Sequence, residues 1–232
     1  QVVGVTSVSI QPGGCGPRTI LGATTAALPM VDFNGADNVT VDGINDGISS
    51  LTFSNTTVSA TSGTCTIRFQ ADAIDNTITK CSILGSATMA SGTFGANICF
   101  GIASAALGAI GNDNNTISYC NIGPAGANLP SKGIYFSGTP GRENSGNTID
   151  NNNIYDFFSA TVSSAGIDAP FIGTNTIAIT NNRFYQTATR TQTTASTHSG
   201  VRIANASGNG FDISGNTFGY GASNGTGTYN FV

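Results

Sequence analysis

Ile117-Ser118-Tyr119-Cys120-Asn121-Ile122 is one copy of a hexapeptide found four more times in the chain. The others are Ile78-Thr79-Lys80-Cys81-Ser82-Ile83, Ile149-Asp150-Asn151-Asn152-Asn153-Ile154, Ile179-Thr180-Asn181-Asn182-Arg183-Phe184 and Ile213-Ser214-Gly215-Asn216-Thr217-Phe218. A weaker copy, Val39 to Ile44, precedes them. In each full copy an apolar residue opens the unit, Cys or Asn holds the fourth place, and Ile or Phe closes it. With side chains alternating along strands, both apolar ends point inward and the Cys or Asn marks a bend between two short strands.

A second unit, a small residue followed by an apolar strand, keeps step upstream. It reads Thr66-Ile67-Arg68-Phe69, Gly101-Ile102-Ala103, Gly133-Ile134-Tyr135-Phe136, Gly166-Ile167-Asp168-Ala169 and Gly200-Val201-Arg202-Ile203. From the small residue to the next hexapeptide the distance is 12, 16, 16, 13 and 13 residues, while the full period is 39, 39, 32, 30 and 34. A constant core with variable insertions is the signature of a solenoid coil whose loops lengthen at corners. A propeller needs hairpin turns at fixed places in each period, and no such Asn-Gly or Asp-Gly pattern recurs.

These spacings predict an all-β protein, a parallel β-helix of about six to seven coils in one elongated domain over residues 29–232. Residues 1–28, containing Pro12-Gly13-Gly14-Cys15-Gly16-Pro17, form an N-terminal edge strand or cap. The repeat runs close to Val232, which predicts that coils continue beyond it. Stacked bends would align Asn152, Asn182 and Asn216 in an asparagine ladder, with Cys81 and Cys120 in the same slot of earlier rungs. Asn also tolerates left-handed backbone at such a bend. Adjacent rungs put the two cysteines within disulfide range, but reduced thiols packed as small hydrophobes meet the same geometry.

Charged residues make up 9% of the chain, Trp is absent and the net charge is −4. Eight scattered Lys and Arg offer no basic stripe, so nucleic acid is not an expected partner. No apolar run approaches the roughly 20 residues of a membrane-spanning helix. A start at Gln1-Val2-Val3-Gly4-Val5 is consistent with a signal peptide already removed. The five cysteines form no close pair of the zinc-ribbon kind, and no metal or cofactor is expected.

Catalysis on such a fold would need converging carboxylates, or acids beside a proton acceptor. The acidic residues are dispersed; Asp32, Asp37, Asp42, Asp72 and Asp75 read as turn formers. His198, the single histidine, follows the Thr-rich run Thr187 to Thr197 and reads as a solvated loop residue. The uneven period speaks against an ice-binding threonine array. No catalytic residue is therefore assigned.

One outward column carries the candidate binding residues. Two places after each small residue lie Arg68, Ala103, Tyr135, Asp168 and Arg202, which would line one sheet surface with Asp168 and Arg202 adjacent. The modest reading is an exposed ion pair; the sharper one is a shallow sugar- or protein-binding strip around Tyr135. Tyr155 and Tyr185 form a second column, expected to pack by stacking.

The hexapeptides, with Asn34 to Gly43, Leu51 to Asn55 and Asp75 to Ile78, resemble the right-handed parallel β-helix repeat proteins, the pectate-lyase-like superfamily in its broad sense. In style they are similar to giant secreted and cell-surface proteins of Bacteroidetes-type bacteria. The resemblance implies an extracellular structural or adhesive module whose partners are a glycan, a protein surface or copies of itself. It implies no catalytic residues. The alternatives are a polysaccharide-binding module and a lyase- or glycoside-hydrolase-like enzyme with an unrecognised site.

Overall fold

The computed structural model describes residues 7–101, 108–170, 173–229 and 231–232. Among these there is no helix; short parallel strands form three long walls of a β-solenoid of about six turns. The first wall stacks seven strands: Val8–Ile10, Val39–Asp42, Thr77–Thr79, Thr116–Ser118, Thr148–Asp150, Ala178–Thr180 and Asp212–Ser214. The second also has seven, Pro17–Gly22, Ser50–Asn55, Ser82–Gly85, Asn121–Pro124, Asn153–Tyr155, Arg183–Tyr185 and Thr217–Tyr220. The third has six, Pro29–Asn34, Cys65–Gln70, Ala96–Phe100, Lys132–Phe136, Ser164–Ala169 and His198–Ile203.

Strand register turns the repeat into columns. Ile10, Val41, Ile78, Ile117, Ile149, Ile179 and Ile213 align along the first wall. Ile20, Phe53, Ile83, Ile122, Ile154, Phe184 and Phe218 align along the second. In the third wall Phe33, Phe69, Phe100 and Phe136 stack ring on ring, with centroids 4.7, 4.7 and 4.4 Å apart. The inner rungs of these columns are the core, while Ile10, Ile20, Ile213 and Phe218 at the two ends are about half exposed; removing one central ring costs about 3–5 kcal/mol.

Two residues join the first wall to the second in the last five coils: Lys80-Cys81, Tyr119-Cys120, Asn151-Asn152, Asn181-Asn182 and Gly215-Asn216. The first of each pair is left-handed, with φ between 54° and 67°, and the second points into the ladder. The left-handed residue therefore precedes the ladder residue instead of coinciding with it. In the ladder, Asn152 Nδ2 donates to Asn182 Oδ1 at 3.0 Å and to the Ile117 carbonyl at 2.9 Å. Asn182 repeats this with Asn216 Oδ1 and the Ile149 carbonyl. The Cys120 and Cys81 thiols lie near the equivalent carbonyls, Ile78 at 3.7 Å and Val41 at 3.9 Å, and closer to those of Ser118 at 3.2 Å and Thr79 at 3.3 Å. Neither is in a disulfide; all five cysteines are free.

A second ladder runs along the other edge of the first wall. Asn76 donates to Asn115, and Asn115 to Asn147, at 2.9 and 3.2 Å. Each follows a left-handed residue, Asp75, Asn114 or Gly146.

Three sequence readings are corrected. Val39 to Ile44 supplies only the first wall; an insertion follows, and Phe53, not Ile44, fills the second-wall column. Gly101-Ile102-Ala103 is not the third-wall rung. That rung is Ala96–Phe100, which puts Cys99 between Arg68 and Tyr135; Ile102 and Ala103 lie outside the described residues. Asp32 is a strand residue whose carboxylate pairs with Arg68 at 2.6 Å, not a turn former. Within residues 1–28, Val8–Ile10 and Pro17–Gly22 pair in register as the first strands of two walls, while Gln1 to Val5 lie outside the described residues.

Glycines recur before the third-wall core residues for a reason of space. A Cβ at Gly166 would lie 2.6 Å from the Gly200 carbonyl oxygen and 2.6 Å from the Phe184 ring. At Gly200 it would meet Phe218 at 2.4 Å, so second-wall rings rest directly on third-wall backbone.

Candidate functional site

The outer face of the third wall carries the column Asp32, Arg68, Cys99, Tyr135, Asp168, Arg202 in adjacent register. It is not an open strip. The connection from Gly85 to Ala96 folds over its centre as a strap, leaving Tyr135 and Asp168 at 1% and 0% exposure. Tyr135 donates its hydroxyl to the Gly92 carbonyl at 3.0 Å and meets Phe94 edge to face. Asp168 accepts bonds from Ser91 Oγ, the Gly92 amide and Arg202, at 3.1, 3.2 and 2.8 Å. Asp168 and Arg202 do pair, but the reading of an exposed pair is corrected, because the strap buries the Asp168 carboxylate completely.

Beside them Lys132 is buried, donates to the carbonyls of Ala90 and Thr93, and lies 4.4 Å from the Tyr135 ring centre. Burial lowers its pKa to about 8. Burial, reinforced by the Asp168 charge, pushes the Tyr135 phenol up, so it stays protonated as the strap's donor. Cys65, Phe94, Ala96, Cys99 and Tyr135 make a small second core under the strap. Nothing in the repeat pattern announces this cover, since the strap's residues are ordinary for a loop.

His198 also departs from its reading. It opens a third-wall strand, and its ring lies parallel to Phe157 at 4.9 Å and against Phe231 at 4.4 Å. Nδ1 is 2.8 Å from Ser164 Oγ, and Nε2 is buried without a hydrogen-bond partner. Burial, with the Arg190 charge adding to it, lowers its pKa to about 4. Tyr155 and Tyr185 stack at 5.4 Å, and Tyr155 covers Gly123, where a Cβ would come within 2.4 Å of the ring.

An uncovered surface lies at the corner between the first and second walls. Asn45, Lys80, Tyr119, Asn151, Asn153 and Arg183 line an open cavity of about 370 Å³. Lys80, Tyr119 and Asn151 come from successive left-handed corner positions; Asn153 and Arg183 follow on adjacent second-wall rungs. Tyr119 is 56% exposed. Asn153 Nδ2 donates to Asn121 Oδ1, while its own Oδ1 is buried without a partner beneath this surface. Arg183 belongs to none of the ion pairs among the described residues, and Lys80 reaches Asp42 only at 3.6 Å. The sequence carried one signal for this place: Tyr119 and Lys80 stand where the turn favours Asn or Gly.

Among the described residues no group of three or more His, Cys, Asp or Glu side chains could hold a metal ion, and no helix is long and apolar enough to cross a membrane. Compared with known proteins, the chain matches no family model, no curated protein and no solved structure.

Proposed function

We propose that this chain is a non-enzymatic structural and adhesive β-solenoid module of a larger secreted or cell-surface protein. The observation that carries this reading is the strap. It fills the broad third-wall face with the chain's own buried side chains, while the first-to-second-wall corner stays open as a surface for a partner. The winding belongs to the same proposal: right-handed, because strand–crossover–parallel strand connections take that hand in about 98% of cases. So does the kinship with pectate-lyase-like β-helices in the style of giant bacterial surface proteins, which rests on the hexapeptide repeat. Partners of the module are a glycan or protein surface, or copies of itself.

One observation favours a second reading, a polysaccharide-acting enzyme: Lys132, Tyr135, Asp168 and Arg202 converge beneath a strap that could lift. Incubating the chain with a polysaccharide panel and following reducing ends and unsaturated products separates the two. The module reading expects no turnover, and turnover abolished by Lys132→Ala would replace it with the enzyme. Light scattering and electron microscopy read self-association.

A further inference from the structure

We infer that the corner cavity around Tyr119 is a binding subsite for an anionic sugar chain lying along the solenoid axis. The inference deepens the adhesive reading by naming a place and a ligand chemistry.

The first support is conformational. Of the five two-residue corners, three put Asn or Gly in the left-handed position: Asn151, Asn181 and Gly215. The other two put Lys80 and Tyr119 there, both at φ 54°. A left-handed backbone is strained for an ordinary side chain and less so for Asn or Gly. Both costly residues line this cavity, and neither is held there by packing, since Tyr119 is 56% and the Lys80 side chain 46% exposed. Lys80 has Asp42 at 3.6 Å, whereas among the described residues no side-chain hydrogen bond or ring contact holds Tyr119; a ring facing a ligand accounts for it.

The second support is chemical. A half-exposed tyrosine ring gives the flat apolar surface on which a pyranose face stacks. The Asn151 side chain lines the cavity, and its Oδ1, left over while Nδ2 donates to Asp150 at 2.6 Å, can accept from a sugar hydroxyl. Arg183 adds a planar cationic fork outside the ion pairs of the described residues, suited to a carboxylate or sulfate. Tyr119, Asn153 and Arg183 come from three adjacent coils, with rungs about 4.8 Å apart. A ligand touching all three runs across the rungs, so a linear chain suits the site better than a single sugar.

The test titrates the full chain calorimetrically with three probes: a hyaluronan hexasaccharide (carboxylate only), a keratan sulfate tetrasaccharide (sulfate only) and neutral maltohexaose. Binding of at least one anionic probe is expected, with the maltohexaose affinity at least tenfold weaker. Which anionic probe binds identifies the group at Arg183. Tyr119→Asn and Arg183→Gln should each weaken binding tenfold or more. Because Tyr119→Asn relieves the backbone, its melting temperature should equal or exceed that of the parent, so lost binding there is not lost folding. Failure of both anionic probes to bind, or unchanged affinity in Tyr119→Asn, overturns the inference. The turnover assay above tests the module reading separately, because it reads product and not Tyr119.

Discussion

Asn216 Oδ1 accepts two hydrogen bonds from one residue of the coil before it, from the backbone N–H of Asn182 at 2.9 Å and from its side-chain Nδ2 at 3.1 Å. Asn182 Oδ1 does the same for Asn152. A single carbonyl oxygen thus closes a backbone donor that the two-residue corner would leave unpaired, and ties one coil to the next.

Asn182→Ala should therefore hurt more than its volume suggests. It strands the Asn152 amide and side chain and the Ile149 carbonyl in a dry interior. A loss of about 3 kcal/mol is expected from urea unfolding, since each stranded buried group costs roughly 1–3 kcal/mol. Asn181→Gly, one residue earlier at a left-handed position, should cost less than about 0.5 kcal/mol.

Thiol accessibility follows from the ladder and the strap. Cys15 is exposed, while Cys65, Cys81, Cys99 and Cys120 are buried, and burial raises the Cys65 and Cys120 thiols well above their ordinary pKa. With an aromatic disulfide reagent, one thiol should react quickly in the native protein and the other four only on unfolding. Fast reaction of a second thiol would contradict the strap or the ladder.

Asp168→Ala should release the strap without melting the solenoid. It removes the acceptor shared by Ser91, Gly92 and Arg202. Hydrogen exchange should rise across residues 88–94 and stay protected at Ile134 and Ile167, with a stability loss on the order of 2 kcal/mol.

His198 makes stability depend on pH. Its folded pKa, about 4, lies below the ordinary 6.5, so the unfolded chain binds the proton more readily. The stability tied to the neutral ring is whole above pH 6.5, falls as pH drops from 6.5 to 4, and is fully lost below that. At most about 3 kcal/mol is at stake, at 1.36 kcal/mol per pKa unit. His198→Phe should flatten the urea midpoint between pH 7 and 4.5; an equally steep decline in that variant would place the titration elsewhere.

Much of the fold was legible because the hexapeptide is a local rule. Ile78, Ile117, Ile149, Ile179 and Ile213 share a column, and the spacing alone says so. The second ladder was equally readable, since Asn-Thr-Ile occurs at Asn76, Asn115 and Asn147, but its asparagines lie outside the hexapeptide. What stayed hidden depends on contacts between distant segments. Nothing near Tyr135 shows that Gly92 will cover it, nor near His198 that Phe231 will close over it. The rung misplaced at Ala103 failed for a different reason: two Gly-flanked apolar stretches compete there, and only pairing with Lys132–Phe136 selects Ala96–Phe100.

The contact between second-wall rings and the glycines at 166 and 200 has an evolutionary consequence. With two walls touching at the backbone, the girth of the coil cannot swell without breaking that seam, whereas its height has no such stop. Duplicating a segment of about one period lengthens the rod and repeats its corner side chains in line. The molecule can therefore grow by tandem copying while each new corner remains free to diverge.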